Sequence, residues 1–319
     1  MKCFDVFNGD ADGICALHQL RLAEPLESEL VTGVKRDISL LKRVAAEDGG
    51  RVTVLDISLD KNRDDLQRLL NGGVSVQYFD HHFAGDIPES ANLDVHIDMS
   101  ADTCTSLLVN GYLQGAHLPW AVTAAFGDNL FDAARKAAVP LNLSEKQLSQ
   151  LEQLGTLINY NGYGVTPDDL HFAPDALYRA ISVFADPLAF VAESVAFAKL
   201  EAGFDSDITQ ARELPVVFEN ESVQVVLLPD APWARRVSGV YGNELARSAP
   251  NRAHALLTEL PGGDFRISVR APLSNKTGAD ELCMMFPTGG GRKAAAGINA
   301  LPADMYDAFI DAFRGMYEQ

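Results

Sequence analysis

The chain carries 319 residues with 44 acidic against 26 basic side chains, a net charge of −18 at pH 7, and 47% hydrophobic residues. That length leaves room for two cores, and the surplus of carboxylates argues against tracking a long nucleic acid, which wants a basic stripe. No apolar run approaches the ~20 residues of a membrane span, and Cys3, Cys15, Cys104 and Cys283 form no CxxC pair, so no membrane helix, disulfide framework or thiolate zinc site is expected.

The opening MKCFDVF mixes aromatic and β-branched residues and reads as a buried strand. It has no signal-peptide layout, because Asp5 follows soon after Lys2 and no long apolar core follows, so a cytoplasmic protein is expected. Next comes FNGDADG, in which Asn8, Asp10, Asp12 and Gly13 match the start of a calcium-binding EF-hand loop. Calcium is set aside on two grounds. The place of the bidentate Glu holds Gln19, and the segment before the loop is a strand where an EF-hand has a helix. Asp10 and Asp12 therefore fall in a strand-to-helix turn. There they are either ligand-binding groups, as such turns often carry, or turn formers present for conformational reasons alone.

ICALHQLRLAE is a helix pattern and SELVTGV a strand; ISLLKRVAAE (38–47) reads as a further helix. RVTVLDIS is a strand, NRDDLQRLLN a helix closed by Gly72-Gly73, VSVQYFD a strand and NLDVHID a shorter one. TCTSLLVNGYL and PWAVTAAFGDNLF are helices. This alternation predicts an α/β fold with a mostly parallel sheet and helices on both faces. Residues 144–213 read as packing helices. From Leu214 the texture changes to that of a smaller α+β domain. The expected division is 1–186, a helical linker over 187–214, and 215–319. Residues 215–319 hold 10 basic and 12 acidic side chains, which leaves 16 basic and 32 acidic before them, so the negative charge is concentrated in the first domain.

Polar residues end the predicted strands of that first domain. The first strand leads to Asp10 and Asp12, RVTVLD delivers Asp56, and VSVQYFDHH delivers Asp80, His81 and His82. Parallel strands share a direction, so these groups line up along one sheet edge, where carboxylates would repel one another without a cation. Carboxylate oxygens with one or two imidazoles suit Mn²⁺, Mg²⁺ or Fe²⁺, and one carboxylate can bridge two ions ~3.5–4 Å apart for in-line displacement at phosphorus. Asp128, after Gly127 in an apolar helix, is a sixth candidate; a helix-end cap would explain it as well.

In order and rough spacing, NGDADG, VLDIS, DHH and FGDN resemble the four motifs of the DHH phosphoesterases. FRISVRAP followed by GADELCMMFPTGGGRKAAAGI is similar to the DHH-associated C-terminal domain. The likeness spans about residues 5–130 and 215–300. It implies two divalent ions, most often Mn²⁺ with Mg²⁺ as the alternative. Asp10 would bind one ion and Asp12 the other, Asp56 would bridge them, and His81 and Asp128 would complete the second. His82 would face substrate as a phosphate or proton donor, with Asp80 orienting a histidine. Arg270 would take a phosphate in a bidentate grip. Gly289, Gly290 and Gly291 would form a loop whose N–H groups approach a phosphate, flanked by Arg292 and Lys293.

Two departures stand out. Where many members have a histidine four residues before the first motif aspartate, this chain has Val6, with Asn8 nearer and able to ligate or hold a water. The GGGH histidine of the family is Arg292 here.

The expected function is hydrolysis of linear dinucleotides or very short RNA to mononucleotides, with substrate length measured between two domains. The expected partner is a short nucleotide, with no long nucleic acid and no membrane, and a homodimer is the assembly weighed. The alternatives are a phosphomonoesterase acting on 3′-phosphoadenosine 5′-phosphate, a cyclic-dinucleotide phosphodiesterase and a non-catalytic nucleotide sensor. His18, His96, His117, His171 and His254 read as ordinary surface or core histidines, and Thr103 and Thr105 as a helix cap.

Overall fold

A computed structural model describes residues 2–45, 47 and 49–318. The chain forms two compact units, Met1–Ala202 and Gly203–Gln319. Among the described residues no helix is long and apolar enough to cross a membrane.

In the first unit β1 (Cys3–Asn8) leads into α1 (Ala11–Ala23), followed by β2 (Glu29–Gly33), β3 (Arg51–Leu55), α2 (Arg63–Asn71), β4 (Ser75–Asp80) and β5 (Leu93–Ile97). The five strands form one sheet in the order β2-β1-β3-β4-β5, and every pairing is parallel. All the C-terminal strand ends therefore share one edge. Helices α3 (Thr105–Tyr112), α4 (Leu118–Gly127), α5 (Phe131–Ala138), α6 (Glu145–Asn161), α7 (Pro174–Ser182), α8 (Pro187–Glu193) and α9 (Val195–Arg212) complete the helical part. Sheet and helices bury Val6, Val52, Val54, Leu66, Val76 and Tyr78 in one core, and burial of apolar surface on this scale is the main force holding the strands in register. Asp5, buried inside β1, is answered by a two-pronged contact from Arg21 at 2.5 and 2.8 Å and by the Ser28 hydroxyl at 2.6 Å.

The helix expected over 38–47 does not form over the described residues 38–45; Ala46 lies outside them. Only a 3₁₀ turn at Leu41–Arg43 is present. Side chains from the next helical segment satisfy this stretch in place of helical hydrogen bonds. Asn62 donates to Ile38 O at 2.7 Å and accepts from Leu41 N at 3.3 Å, and Arg68 donates to the carbonyls of Leu41 and Val44. Where the sequence read one helix from 119 to 131, Asp128 ends α4, and Asn129 adopts a left-handed φ of 62° before α5. Within 187–214 two helices, α8 and α9, are separated at Ser194.

The second unit contains β6 (Val216–Glu219), β7 (Val223–Leu228), α10 (Pro232–Ser248), β8 (Ala253–Glu259), β9 (Phe265–Arg270), α11 (Ala279–Met284), β10 (Gly289–Arg292), β11 (Ala295–Leu301) and α12 (Tyr306–Tyr317). Its sheet runs β10-β11-β9-β8-β7-β6; β7 and β8 are parallel and the other pairs antiparallel. Ile267, Val269, Ile298, Phe309 and Phe313 lie at the heart of its core. The glycine run 289–291, expected as a loop, is instead the edge strand β10, paired Gly290 to Gly297 and Arg292 to Ala295.

One buried histidine in each unit ties stability to pH. Burial lowers His18 to about 4, outweighing its hydrogen bond to Phe184 O, and burial lowers His254, beside Gln224, to about 4. Between pH 4 and the unfolded value near 6.5, the unfolded chain therefore binds more protons than the folded one. Stability should be full above pH 6.5 and fall as pH drops towards 4, by at most about 3 kcal/mol for each histidine. Urea unfolding across pH 4–7 should show that loss, and His254→Gln should flatten it; an unchanged slope in the variant would place the pH dependence elsewhere.

Candidate metal centre

The centre is assembled at the C-terminal edge of the parallel sheet. β1 ends at Asn8 and turns into α1 through Asp10, the helix N-cap, whose Oδ1 accepts from the N–H groups of Asp12 and Gly13 at 3.0 and 3.1 Å. The turn is tight enough to exclude side chains: a Cβ on Gly13 would lie 2.2 Å from Asn8 O, and one on Gly9 would lie 2.1 Å from Gly33 O. Asp12, one turn into α1, has no free carboxylate edge towards α3. Its Oδ1 accepts from Ser106 N and its Oδ2 from Thr105 N, both at 2.7 Å. The start of α3 is thus capped by Asp12 from a remote segment, and not by Thr103 or Thr105.

β3 ends at Asp56, which has a left-handed φ of 58° and is held by its N–H to Phe79 O at 3.0 Å. β4 ends at Asp80, followed by His81 and His82. His81 Nδ1 donates to Thr103 O at 3.1 Å, which turns its Nε2 lone pair inward. That Nε2 lies 3.4 Å from Asp56 Oδ1 and 3.9 Å from both Asp12 Oδ2 and Asp128 Oδ2. Asp128 reaches the group from the end of α4. Gly127 and Gly155 let α4, α1 and α6 approach closely enough for this, since a Cβ on Gly127 would meet Ala11 Cβ at 2.4 Å and one on Gly155 would meet Thr123 O at 2.0 Å. Asp56, His81 and His82 can also offer three donor atoms within 4.8 Å of one another.

His82 is half-exposed and donates from Nδ1 to Asp80 Oδ1 at 2.7 Å. Burial works against its charge, but the hydrogen bond and charge of Asp80 win and raise it above the ordinary histidine value. Two buried oxygens in this region, Asn8 Oδ1 and Asp80 Oδ2, have no hydrogen-bond partner. Val6 is fully buried among the apolar side chains of the first unit's core.

Lys35 escaped the sequence reading. It lies in the turn after β2, and its Nζ is 2.5 Å from Asp10 Oδ2, 2.8 Å from Asn159 Oδ1 and 3.6 Å from Asp128 Oδ1. The signal was available: β2 belongs to the same parallel sheet, so the residues after it belong to the same edge.

The electrostatics follow from burial and crowding. Burial would raise Asp10, but the charge and hydrogen bond of Lys35, the Gly13 N–H and a hydrogen bond from Asp56 hold it below the ordinary carboxylate value. Burial, followed by repulsion from Asp10, Asp12, Asp128 and Asp80, pushes Asp56 well up. Asp128 is raised by burial, against the pull of Lys35, and further by Asp12 and Asp10. Burial opposes the Lys35 charge, yet Asp10, Tyr163 and Asp128 keep it well above the usual lysine value. A pocket that drives a carboxyl to hold its proton beside an inward imidazole nitrogen and three carboxylate oxygens within 3.4–3.9 Å of it fits a divalent cation. Asp12, Asp56, Asp128 and His81 are the residues that would hold it.

The phosphate-binding candidates belong to the second unit. Arg270 ends β9 and donates to Asn243 Oδ1 at 2.7 Å and to Gly239 O at 3.3 Å, so its guanidinium is anchored to α10. In β10, a Cβ on Gly289 would lie 1.8 Å from Cys283 O and one on Gly291 2.4 Å from Ala296 Cα, whereas Gly290 has open space beside it. Arg292 and Lys293 are exposed.

No family model matches the chain, and no curated protein sequence matches it. Solved structures do. An exonuclease RecJ bound to manganese is 16% identical over 98% of this chain and 89% of that one, with a TM-score of 0.65. RecJ in complex with Mn²⁺ from Thermus thermophilus is 17% identical over 98% of this chain, which spans 51% of that one, with a TM-score of 0.65. A pGpG-specific phosphodiesterase, PggH from Vibrio cholerae, is 12% identical over 98% of this chain and 97% of that one, with a TM-score of 0.56. The chain has the fold of the RecJ exonucleases, as its motifs led one to expect.

The two central aspartates should respond differently when neutralised without metal. Asp12→Asn places an NH₂ against one of the N–H groups of α3 and should destabilise by about 1–3 kcal/mol. Asp56→Asn replaces a carboxyl that burial and its four acidic neighbours already drive to hold its proton, and asparagine tolerates the left-handed backbone, so it should melt close to wild type in EDTA while losing the rise in Tm on adding Mn²⁺. Thermal unfolding with and without Mn²⁺ measures both; equal losses in EDTA would refute the assigned roles.

Proposed function

We propose that the chain is a divalent-metal-dependent phosphodiesterase, using Mn²⁺, that hydrolyses linear dinucleotides or very short oligoribonucleotides to mononucleotides. The observation that carries this is the convergence of Asp12, Asp56 and Asp128 on His81 Nε2, within 3.4–3.9 Å, at the strand-end edge of a RecJ-like fold. Two comparison structures that contain manganese and one described as a pGpG-specific phosphodiesterase support the ion and the substrate class.

A bound divalent ion would acidify a water and offset charge building up at phosphorus. The chain's own residues supply the rest. His81, fixed by Thr103 O, presents a nitrogen lone pair and cannot rotate away without losing that hydrogen bond. His82 is anchored through Nδ1 to Asp80, which leaves Nε2 on a half-exposed ring to donate to a phosphate oxygen or to the departing alkoxide. Its raised proton affinity favours that donor form.

Substrate length is set by charge. Residues 1–214 carry 32 acidic and 16 basic side chains, so each phosphate beyond the gripped ones meets net repulsion. Arg270, the open edge at Gly290, and exposed Arg292 and Lys293 are proposed as the phosphate grip of the second unit.

With Mn²⁺ and a panel of linear and cyclic dinucleotides, 3′-phosphoadenosine 5′-phosphate and pyrophosphate, linear dinucleotides should be consumed and mononucleotides formed. Asp56→Ala should lower that rate by at least about 100-fold. Free phosphate as the product would establish the phosphomonoesterase reading in its place. A wild-type rate in Asp56→Ala would exclude this centre as the active site.

A further inference from the structure

We infer that Lys35 is a built-in cation filling one half of the centre, so that the protein binds a single divalent ion tightly where the motif resemblance implies two. The inference rests on the metal-dependent reading above. It concerns the number of ions, not their presence.

The pocket divides into two oxygen-lined halves. In one, Asp12 Oδ2, Asp56 Oδ1 and Asp128 Oδ2 face His81 Nε2. In the other, Asp10 Oδ2, Asn159 Oδ1 and Asp128 Oδ1 surround Lys35 Nζ at 2.5, 2.8 and 3.6 Å. Three oxygens from three separate segments around one ammonium make a ligand set with a charged nitrogen in the metal's place. The ammonium donates to Asp10 and Asn159 and forms an ion pair with Asp128.

Lys35 is not a surface side chain that has drifted inward. Its backbone is pinned on both sides: its N–H donates to Gly162 O at 2.8 Å, and its carbonyl accepts from Asn8 Nδ2 at 3.2 Å. The loop that follows α6 therefore fixes the turn, and the end of α6 itself supplies Asn159. Asn8 holds the Lys35 backbone through Nδ2 while its Oδ1 has no hydrogen-bond partner, and position 6 is a buried valine, so neither position gives this half an imidazole that would make it a better site for a divalent ion. A second divalent ion on Asp10 and Asp128 would lie within a few ångströms of the ammonium. Like charges that close in a partly buried pocket repel, so the ion would have to displace Lys35 from Asp10 and Asn159.

The consequence for substrate is direct. A phosphate over this centre meets one exchangeable ion and one fixed ammonium. The ammonium remains when the divalent ion is removed, so nucleotide affinity in EDTA should depend on Lys35.

The test is the Mn²⁺ stoichiometry of the full chain, read by calorimetry and by the EPR spectrum of the bound ion. Wild type should bind one Mn²⁺ per chain with an uncoupled mononuclear spectrum. Lys35→Ala, which vacates the oxygens of Asp10, Asn159 and Asp128, should bind two, with the signature of a coupled pair. Lys35→Gln, one atom shorter and uncharged but still able to hydrogen-bond, guards against misfolding of the alanine variant and should also gain the second ion. Two coupled ions in wild type at low Mn²⁺ would overturn the inference and leave the metal-dependent reading intact. No bound Mn²⁺ in wild type would overturn both. A single ion in both well-folded variants would show that Lys35 does not block a second site.

Discussion

Carboxylates crowded onto one buried sheet edge cannot stay there unaided, and the arrangement around them follows from that constraint. Parallel strands deliver their last residues to the same line, so Asp10, Asp56 and Asp80 are neighbours by topology, and Asp12 and Asp128 are added from helices. In a medium of lower dielectric than water, such a set is strongly self-repelling. The protein answers each charge with a different device. Asp10 has an ammonium and two N–H groups. Asp12 has the two N–H groups at the start of α3. Asp80 has the His82 imidazole. Asp56 is left with a 3.4 Å contact from the Thr105 hydroxyl and the neighbouring histidines, and it is the carboxyl pushed well above its ordinary value. The least-answered charge lies where an added cation would be gripped hardest.

The scaffold is shaped to prevent escape from this crowding. Close approaches at Gly9, Gly13, Gly127 and Gly155 hold the β1 turn and helices α1, α4 and α6 at distances that no side chain would allow. The carboxylates cannot separate without opening packed backbone, so in the metal-free state their repulsion is met by a raised proton affinity at Asp56 and Asp128 and not by movement. Asp56 adds a left-handed backbone to this arrangement, a conformation that costs a non-glycine residue and recurs at functional sites. Here the inference runs from the observed φ and the observed contacts to function.

Much of this was legible in the sequence. Strands with polar ends, FNGDADG, VTVLD and VQYFDHH, give the sheet edge and its residues, because a parallel sheet converts sequence order into spatial adjacency. What was lost was lost for physical reasons. Lys35 follows a strand end like the others, but VKRD looks like a solvated charged turn until α6 brings Asn159 and Gly162 against it, and that contact spans more than a hundred residues of chain. The stretch at 38–45 has helical periodicity, yet Asn62 and Arg68 satisfy its backbone from outside, so tertiary hydrogen bonds override local propensity. The resemblance implies that the Gly289–Gly291 run is a phosphate-approaching loop. Its glycines serve instead to let an edge strand pass against Cys283 and Ala296, and only Gly290 of the three remains open.

The two roles assigned to Asp12, the observed helix contact and the proposed metal contact, link these observations. A residue that only bound metal could be mobile before the ion arrives and still function. Asp12 cannot be, because both of its oxygens hold the first turn of α3, and Thr105 in that turn places its hydroxyl 3.4 Å from Asp56. The fold therefore fixes the position of this carboxylate before any ion is present, and the repulsion that results belongs to the metal-free state. A cation entering among Asp12, Asp56, Asp128 and His81 gains its direct attraction and also relieves stress that the helix cap and the glycine contacts keep in place. Preorganisation of this kind lowers the reorganisation needed on binding. It explains why carboxylates with separate structural duties, and not flexible surface ones, stand at this edge.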